Sequence, residues 1–167
     1  MGSRISEKAF VKAYDEHADG IFRFCAFYVR DRERARDLMQ DAFMRTWAYI
    51  AAGNEIENLK AFLYKTARNL SINESVRSRS LSLEELQENA GFDPEDSHEA
   101  SPADTAEAAL LLKHLEELDE AFREVLTLRY MNGLAVTEIG AILGLTPNTV
   151  SVRIHRGIQE LKKRMHA

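Results

Sequence analysis

The sequence predicts an all-α protein: two small helical domains joined by a flexible acidic linker. Three observations predict it. Apolar residues recur at intervals of three and four along most of the chain, and period-two alternation is absent. That spacing lapses over 78–103, where Ser78, Ser80, Ser82, Gly91, Pro94, Ser97, Ser101 and Pro102 sit among many acids. The charge is also uneven. Residues 81–120 carry thirteen acids and one base, net −12, so the formal total of −5 leaves +7 on the rest. The predicted limits are 1–79 for the first domain, 80–103 for the linker and 104–167 for the second domain.

The elements follow in order. Residues 6–30 read as a helix, with Phe10, Tyr14, Ala18, Ile21, Phe22, Cys25 and Val29 on one face. Asp31 and Arg32 break it. Residues 33–51 form a second helix, with Leu38, Met39, Ala42, Phe43, Thr46, Trp47 and Ile50 inward, and Gly53-Asn54 ends it. Residues 58–77 form a third, with Leu59, Leu63, Thr66, Ala67 and Leu70 inward. One weak helical turn is expected near Leu83–Gln87. Helices resume over 104–116 and 119–131, and Met131 to Leu134 form a turn. A helix-turn-helix then occupies 138–164. Its first helix stops at Gly144, its turn is Gly144-Leu145-Thr146, and its second helix has Thr146 as N-cap and Pro147 at the first helical position. A threonine hydroxyl can accept from an orphan amide there, and proline has no amide to lose.

Composition excludes several classes. The chain has 167 residues, 45% of them apolar, enough to bury real cores. Its single cysteine, Cys25, excludes a disulfide and a cysteine-based metal site. The five histidines (His17, His98, His114, His155, His166) are scattered without metal-ligand spacing. No glycine-rich phosphate loop or nucleophile motif is present, so the chain is expected not to be an enzyme and to need no cofactor. The apolar run Ala109–Leu112 is far too short to span a membrane, and the first residues form no signal peptide. A cytoplasmic protein is expected.

Two basic segments carry the chemistry. Residues 147–167 hold five bases and one acid. On a helical wheel Val150, Ile154, Ile158 and Leu161 share a face suited to packing on Ile139, Leu143 and Leu145. The opposite face carries Asn148, Thr149, Val152, Arg156 and Gln159, flanked by Ser151, Arg153 and His155. Arginine can pair bidentately with guanine, an amide with adenine, and valine can touch a thymine methyl. A helix-turn-helix offers such a face to the DNA major groove. Residues 60–79 also hold five bases and one acid, interleaved with Phe62, Tyr64, Asn69 and Asn73. Aromatic stacking, amide hydrogen bonds and positive charge suit unstacked single-stranded bases. Core aromatics beside solvated lysines would give the same pattern. The helix over 33–51 presents Asp37, Gln40, Asp41, Met44 and Arg45 away from its core, either as a docking stripe or as a solvated face.

Taken together, Asp37-Leu-Met-Gln-Asp-Ala-Phe followed by Trp47, then Phe62-Leu-Tyr-Lys-Thr-Ala-Arg-Asn-Leu, an acidic linker, and Glu124-Val-Leu-Thr-Leu-Arg-Tyr before the helix-turn-helix form an ordered set. It resembles the extracytoplasmic-function sigma factors of bacterial RNA polymerase, in the sigma-70 family. The resemblance implies a region 2 helical bundle and a region 4 helix-turn-helix. It implies promoter recognition and transcription initiation, with catalysis left to the polymerase. Asp37, Gln40, Asp41 and Arg45 match the part that docks on the clamp helices of the largest subunit. Lys65, Arg68, Asn69 and Asn73, with the loop Asn54–Asn58, match the part that captures the melted −10 element. Ser151, Val152, Arg153, His155 and Arg156, with Asn148 and Thr149 from the wheel, face the −35 element. The linker would run towards the RNA exit path. Implied partners are core RNA polymerase through its largest and second-largest subunits, promoter DNA and an anti-sigma factor, with a monomer when free and no membrane.

The sequence departs from the family pattern at four places. Ala135 stands where a Ser or Thr cap is usual, and Thr137 is expected to cap instead. Asn148-Thr149 replaces a common Gly-Thr pair, Ser151 replaces a common base, and Phe62 stands where Trp is frequent. Two other readings compete: a stand-alone helix-turn-helix transcription regulator that never docks on polymerase, and a helical adaptor whose helix-turn-helix binds only protein.

Overall fold

The computed structural model describes residues 4–82 and 102–167. These fall into two compact units, Met1–Gly91 and Phe92–Ala167. Among the described residues there is no strand.

The first unit is three long helices that all touch one another: α1 (Glu7–Val29), α2 (Arg32–Ala51) and α3 (Leu59–Ser82). Each helix start has a chemical cause. Ser6 accepts from the Ala9 amide at 3.1 Å, and Asp31 accepts from the Glu33 and Arg34 amides at 3.0 and 3.3 Å. Asn58 accepts from the Ala61 amide at 3.0 Å and so caps α3. Arg30 takes a left-handed conformation (φ 53°) that turns the chain sharply from α1 into α2.

Because every helix faces two others, the buried stripes are wider than a single periodic face. Alongside Ile21 and Cys25, α1 buries Ala13, Phe24 and Ala26. On α3, Ala61, Tyr64 and Ser71 are buried with Leu63 and Ala67. Aromatic pairs line the seams: Phe10 with Trp47 (5.0 Å between centroids), Tyr14 with Phe43 (4.8 Å) and Phe24 with Tyr64 (5.7 Å). Full burial of such a side chain contributes about 1.5–3 kcal/mol. Burial pushes the Cys25 thiol up to about 11. The buried Ser71 hydroxyl, which lacks a hydrogen bond of ordinary geometry, opposes that shift weakly.

The second unit is built of shorter pieces: α4 (Pro102–Glu116), α5 (Glu120–Leu126), α6 (Val136–Leu143) and α7 (Pro147–Met165). The expected single helix over 119–131 is divided. After Leu126 the chain widens into a π-helical stretch, Thr127–Met131. The Asn132 amide reaches back five residues to the Thr127 carbonyl at 3.2 Å, and the Asn132 side chain donates to the same oxygen at 3.1 Å. This widening buries Leu128 and Leu134 together while Arg129 and Tyr130 stay exposed. Arg129 donates to the Leu134 carbonyl at 2.9 Å and closes the turn at Gly133 (φ 65°).

Two boundaries also differ from expectation. The third helix continues through Ser82, five residues past 77, so Ser80–Ser82 are helical. At the other end, α4 begins at Pro102. The remainder of the 80–103 segment, including the turn expected near Leu83–Gln87, lies outside the described residues.

Candidate nucleic-acid interfaces

The helix-turn-helix is fixed by local chemistry. Gly144 adopts φ 68°, and the Leu145 amide donates to the Gly140 carbonyl at 2.9 Å. A Cβ on Gly140 would lie 2.6 Å from the Leu145 carbonyl oxygen, so the turn can fold back only over a glycine. Thr146 accepts from the Thr149 amide at 3.2 Å, and its hydroxyl sits 2.9 Å from that of Thr149. Pro147 occupies the first turn. The start of α6 departs from expectation. Thr137 lies inside the helix, and Glu138 instead reaches back to accept from the Ala135 amide at 3.2 Å. With alanine at the N-cap, this is the half of a capping box that needs no hydroxyl.

On α7, Val150 and Ile154 are buried and Ile158 and Leu161 half-buried, as the wheel predicts. Between them lies Gly157, which the wheel did not single out. A Cβ there would meet Leu126 and Phe122 at 3.2–3.3 Å, so α7 lays bare backbone on α5. Asn148, Ser151, Val152, His155, Arg156 and Gln159 are exposed and Arg153 is half-buried. Six of the seven residues expected at the −35 element therefore present one continuous, hydrogen-bonding and partly cationic surface. Thr149 differs, because its hydroxyl is engaged in the cap. Lys162, Lys163 and Arg164 extend the positive charge to the helix end.

On α3, Lys65, Asn69 and Asn73 are exposed at four-residue spacing and form a stripe about 12 Å long. Arg68 is half-buried beside it. Of the two readings of the aromatics, core or stacking, Tyr64 follows the first. Tyr64 is only 2% exposed and belongs to the core, so it cannot stack on a base. Phe62 is half-buried against the exposed Tyr49, 4.9 Å between centroids, and these two rings form the aromatic ledge at the start of α3. The loop Asn54–Asn58 is pinned at three points: Asn54 donates to the Tyr49 carbonyl at 3.1 Å, Ile56 is buried, and Asn58 caps α3.

On α2, Asp37, Gln40, Met44 and Arg45 are exposed and Asp41 is half-exposed. Met44, 70% exposed, puts an apolar side chain within this polar stripe. Asp41 and Arg45 pair with each other at 3.1 Å. Arg34, one turn before this stripe, donates through Nε to Glu74 Oε1 of α3 at 2.8 Å and contacts it again through a terminal nitrogen. The bond to Glu74 and its charge hold the Arg34 guanidinium above its ordinary range. Among the described residues no group of three or more His, Cys, Asp or Glu could hold a metal ion, and no helix is long and apolar enough to cross a membrane.

The comparisons with known proteins divide the chain in the same way. Residues 13–81 match the family model Sigma-70 region 2, and residues 108–161 match Sigma-70, region 4. The sigma factor SigL of Mycobacterium tuberculosis is 27% identical over 163 residues, 96% of this chain and 92% of the relative. SigW of Bacillus subtilis is 27% identical over 172 residues, 95% of this chain and 90% of the relative. Both bear the description ECF RNA polymerase sigma factor. Two solved structures share the fold. RpoE from Bartonella quintana, in complex with the anti-sigma factor NepR, superposes with a TM-score of 0.72 at 22% identity, over 96% of this chain and 98% of that one. CnrH, in complex with the cytosolic domain of CnrY, gives 0.71 at 20% identity, over 96% and 90%. With both regions matched in order and relatives covered almost end to end, the chain belongs to the extracytoplasmic-function sigma factors of the sigma-70 family.

Proposed function

We propose that this sigma factor directs core RNA polymerase to promoters through two separate grips and helps open the duplex between them. The observation that carries this reading is the pairing of two exposed polar, basic stripes with different chemistry, one in each unit. Arg153, Arg156, Asn148, Ser151, Val152 and His155 on α7 suit the edges of duplex base pairs at a −35 element. Lys65, Arg68, Asn69 and Asn73 on α3 suit a melted −10 strand, with the Tyr49–Phe62 ledge nearby. The stripe Asp37, Gln40, Asp41 and Arg45 on α2 docks on the polymerase. Catalysis is left to the polymerase, in the cytoplasm. The domain limits are proposed at 1–79, 80–103 and 104–167. A partner of the anti-sigma kind, which the related RpoE has in NepR, would cover these faces, and the free protein is proposed to be a monomer.

Run-off transcription with purified core polymerase on a genomic library tests the reading. Promoter-dependent transcripts are expected with the wild-type protein. The double change Gln40→Ala, Asp41→Ala should abolish both core binding and transcripts. Undiminished core binding by the double variant would remove the docking assignment and leave a stand-alone regulator as the better account.

A further inference from the structure

The packing of α3 changes along its length. Ala61, Leu63, Tyr64, Ala67 and Ser71 bury one side in the bundle, and Ser71 is the last buried residue. From Val76 to Leu81 every residue is exposed, including the bases Arg77 and Arg79. Between these two regimes stand Asn73 and Glu74. Asn73 faces solvent, whereas the Glu74 side chain is only 15% exposed because it points at Arg34 of α2. Its bond to Arg34 spans forty positions in sequence and ties α3 to α2 three residues beyond the last buried residue.

The other end of the tie is rigid. The Arg34 amide is held by the Asp31 cap at 3.3 Å, so the residue sits in the fixed first turn of α2. The same guanidinium lies 4.0 Å from Asp37, a member of the proposed docking stripe. Two guanidinium nitrogens on one carboxylate oxygen constrain direction better than a lysine would, because the guanidinium is planar and its donors are fixed. The bundle core does not need this pair, since all the apolar burial of α3 lies before it.

We propose that Arg34 and Glu74 are positioning residues: their ion pair aims the last turns of α3, with Asn73, at the melted promoter strand and references that aim to the helix that docks on polymerase. The inference rests on the proposed −10 role of α3. Glu74→Gln keeps the shape and loses the charge. Charge reversal, Arg34→Glu with Glu74→Arg, keeps a pair of opposite sense. The readout is a ratio: run-off transcript from a promoter selected by the wild-type protein, divided by transcript from versions with single base changes in its −10 element. Such a ratio is insensitive to how much protein is active, so a merely structural defect would not move it.

Glu74→Gln should lower the ratio about fivefold, the size of a weakened base contact. The reversed pair should restore most of it, and competition with wild-type protein for core polymerase should be unchanged. If the reversed pair does not fold, Glu74→Gln alone decides. An unchanged ratio with Glu74→Gln, in an assay where wild type transcribes, would overturn the inference alone. Absence of any promoter-dependent transcript from wild type would overturn the functional reading and this inference with it.

Discussion

The two helices that carry the proposed DNA-reading faces are positioned by different means. On α7 the determinants are close in sequence: the Gly140–Leu145 turn, the Thr146 cap and Pro147 all lie within eight residues of one another. On α3, beyond the Asn58 cap at its start, they are distant: a ring packed on Phe24 forty residues away, and an ion pair to Arg34 at the same separation. A helix placed by its own turn behaves as a unit that moves with that turn. A helix placed by its neighbours keeps its aim only while the bundle is intact. The difference teaches that α3 should be vulnerable to remote core changes and α7 to small local ones.

The sharpest way to break this comparison is in the first core. Tyr64→Ala should cost about 3–5 kcal/mol, because it removes a fully buried ring that touches Phe24. Trp47, the single tryptophan, lies in the first unit and reports its unfolding by fluorescence. The urea midpoint of that signal should fall steeply while the helical signal of the second unit, followed by circular dichroism, stays in place. Equal loss in both units would mean they do not fold as separate bodies.

A smaller effect separates the units by pH. Cys25 ionises at about 11 when folded against an ordinary value of 9.0, so the native chain retains a proton that the unfolded chain releases. Stability from this group is complete below about pH 9 and is lost as pH rises through about 11, by about 3 kcal/mol. The fluorescence midpoint should therefore fall between pH 9 and 11 more in wild type than in Cys25→Ala. Parallel slopes for the two proteins would show that the thiol is not the group responsible.

The smallest effect belongs to the local side of the comparison. Thr146→Ala removes the cap of α7 and should cost about 1 kcal/mol in the second unit only. Calorimetry should show the second unit melting earlier with the first unmoved. A first-unit shift of similar size would erase the distinction between the two modes of placement.

The same contrast explains what could be read from the residues beforehand. The helix-turn-helix was legible because Gly144, Thr146 and Pro147 act through bonds three or four residues long. The exposed stripes on α2 and α7 followed from helical period, whereas the set on α3 came from the family resemblance. For Tyr64 the residues left two readings, stacking or core, because one period defines one inward face, and α3 packs against two helices and buries a second. The α5 break was hidden because a π-helical stretch has the composition of an α-helix and differs only in which carbonyl each amide finds. Thr137 was expected to cap by analogy with hydroxyl caps, and Glu138 did so from inside the helix. The Arg34–Glu74 pair had no local signal at all, since nothing within four residues of either side chain points to the other.

The Asp41–Arg45 pair has a consequence for timing. Both charges belong to the proposed docking stripe, and in the free protein each already satisfies the other at 3.1 Å. An exposed pair of this kind is worth only a few tenths of a kcal/mol. Docking can therefore exchange partners with little net gain from these two residues, and departure never strands a bare charge at the surface. Such a stripe favours a short residence time over a tight grip. A subunit needed at the start of each transcript gains from being easy to dismiss, and this internal pairing supplies that ease without weakening the fold.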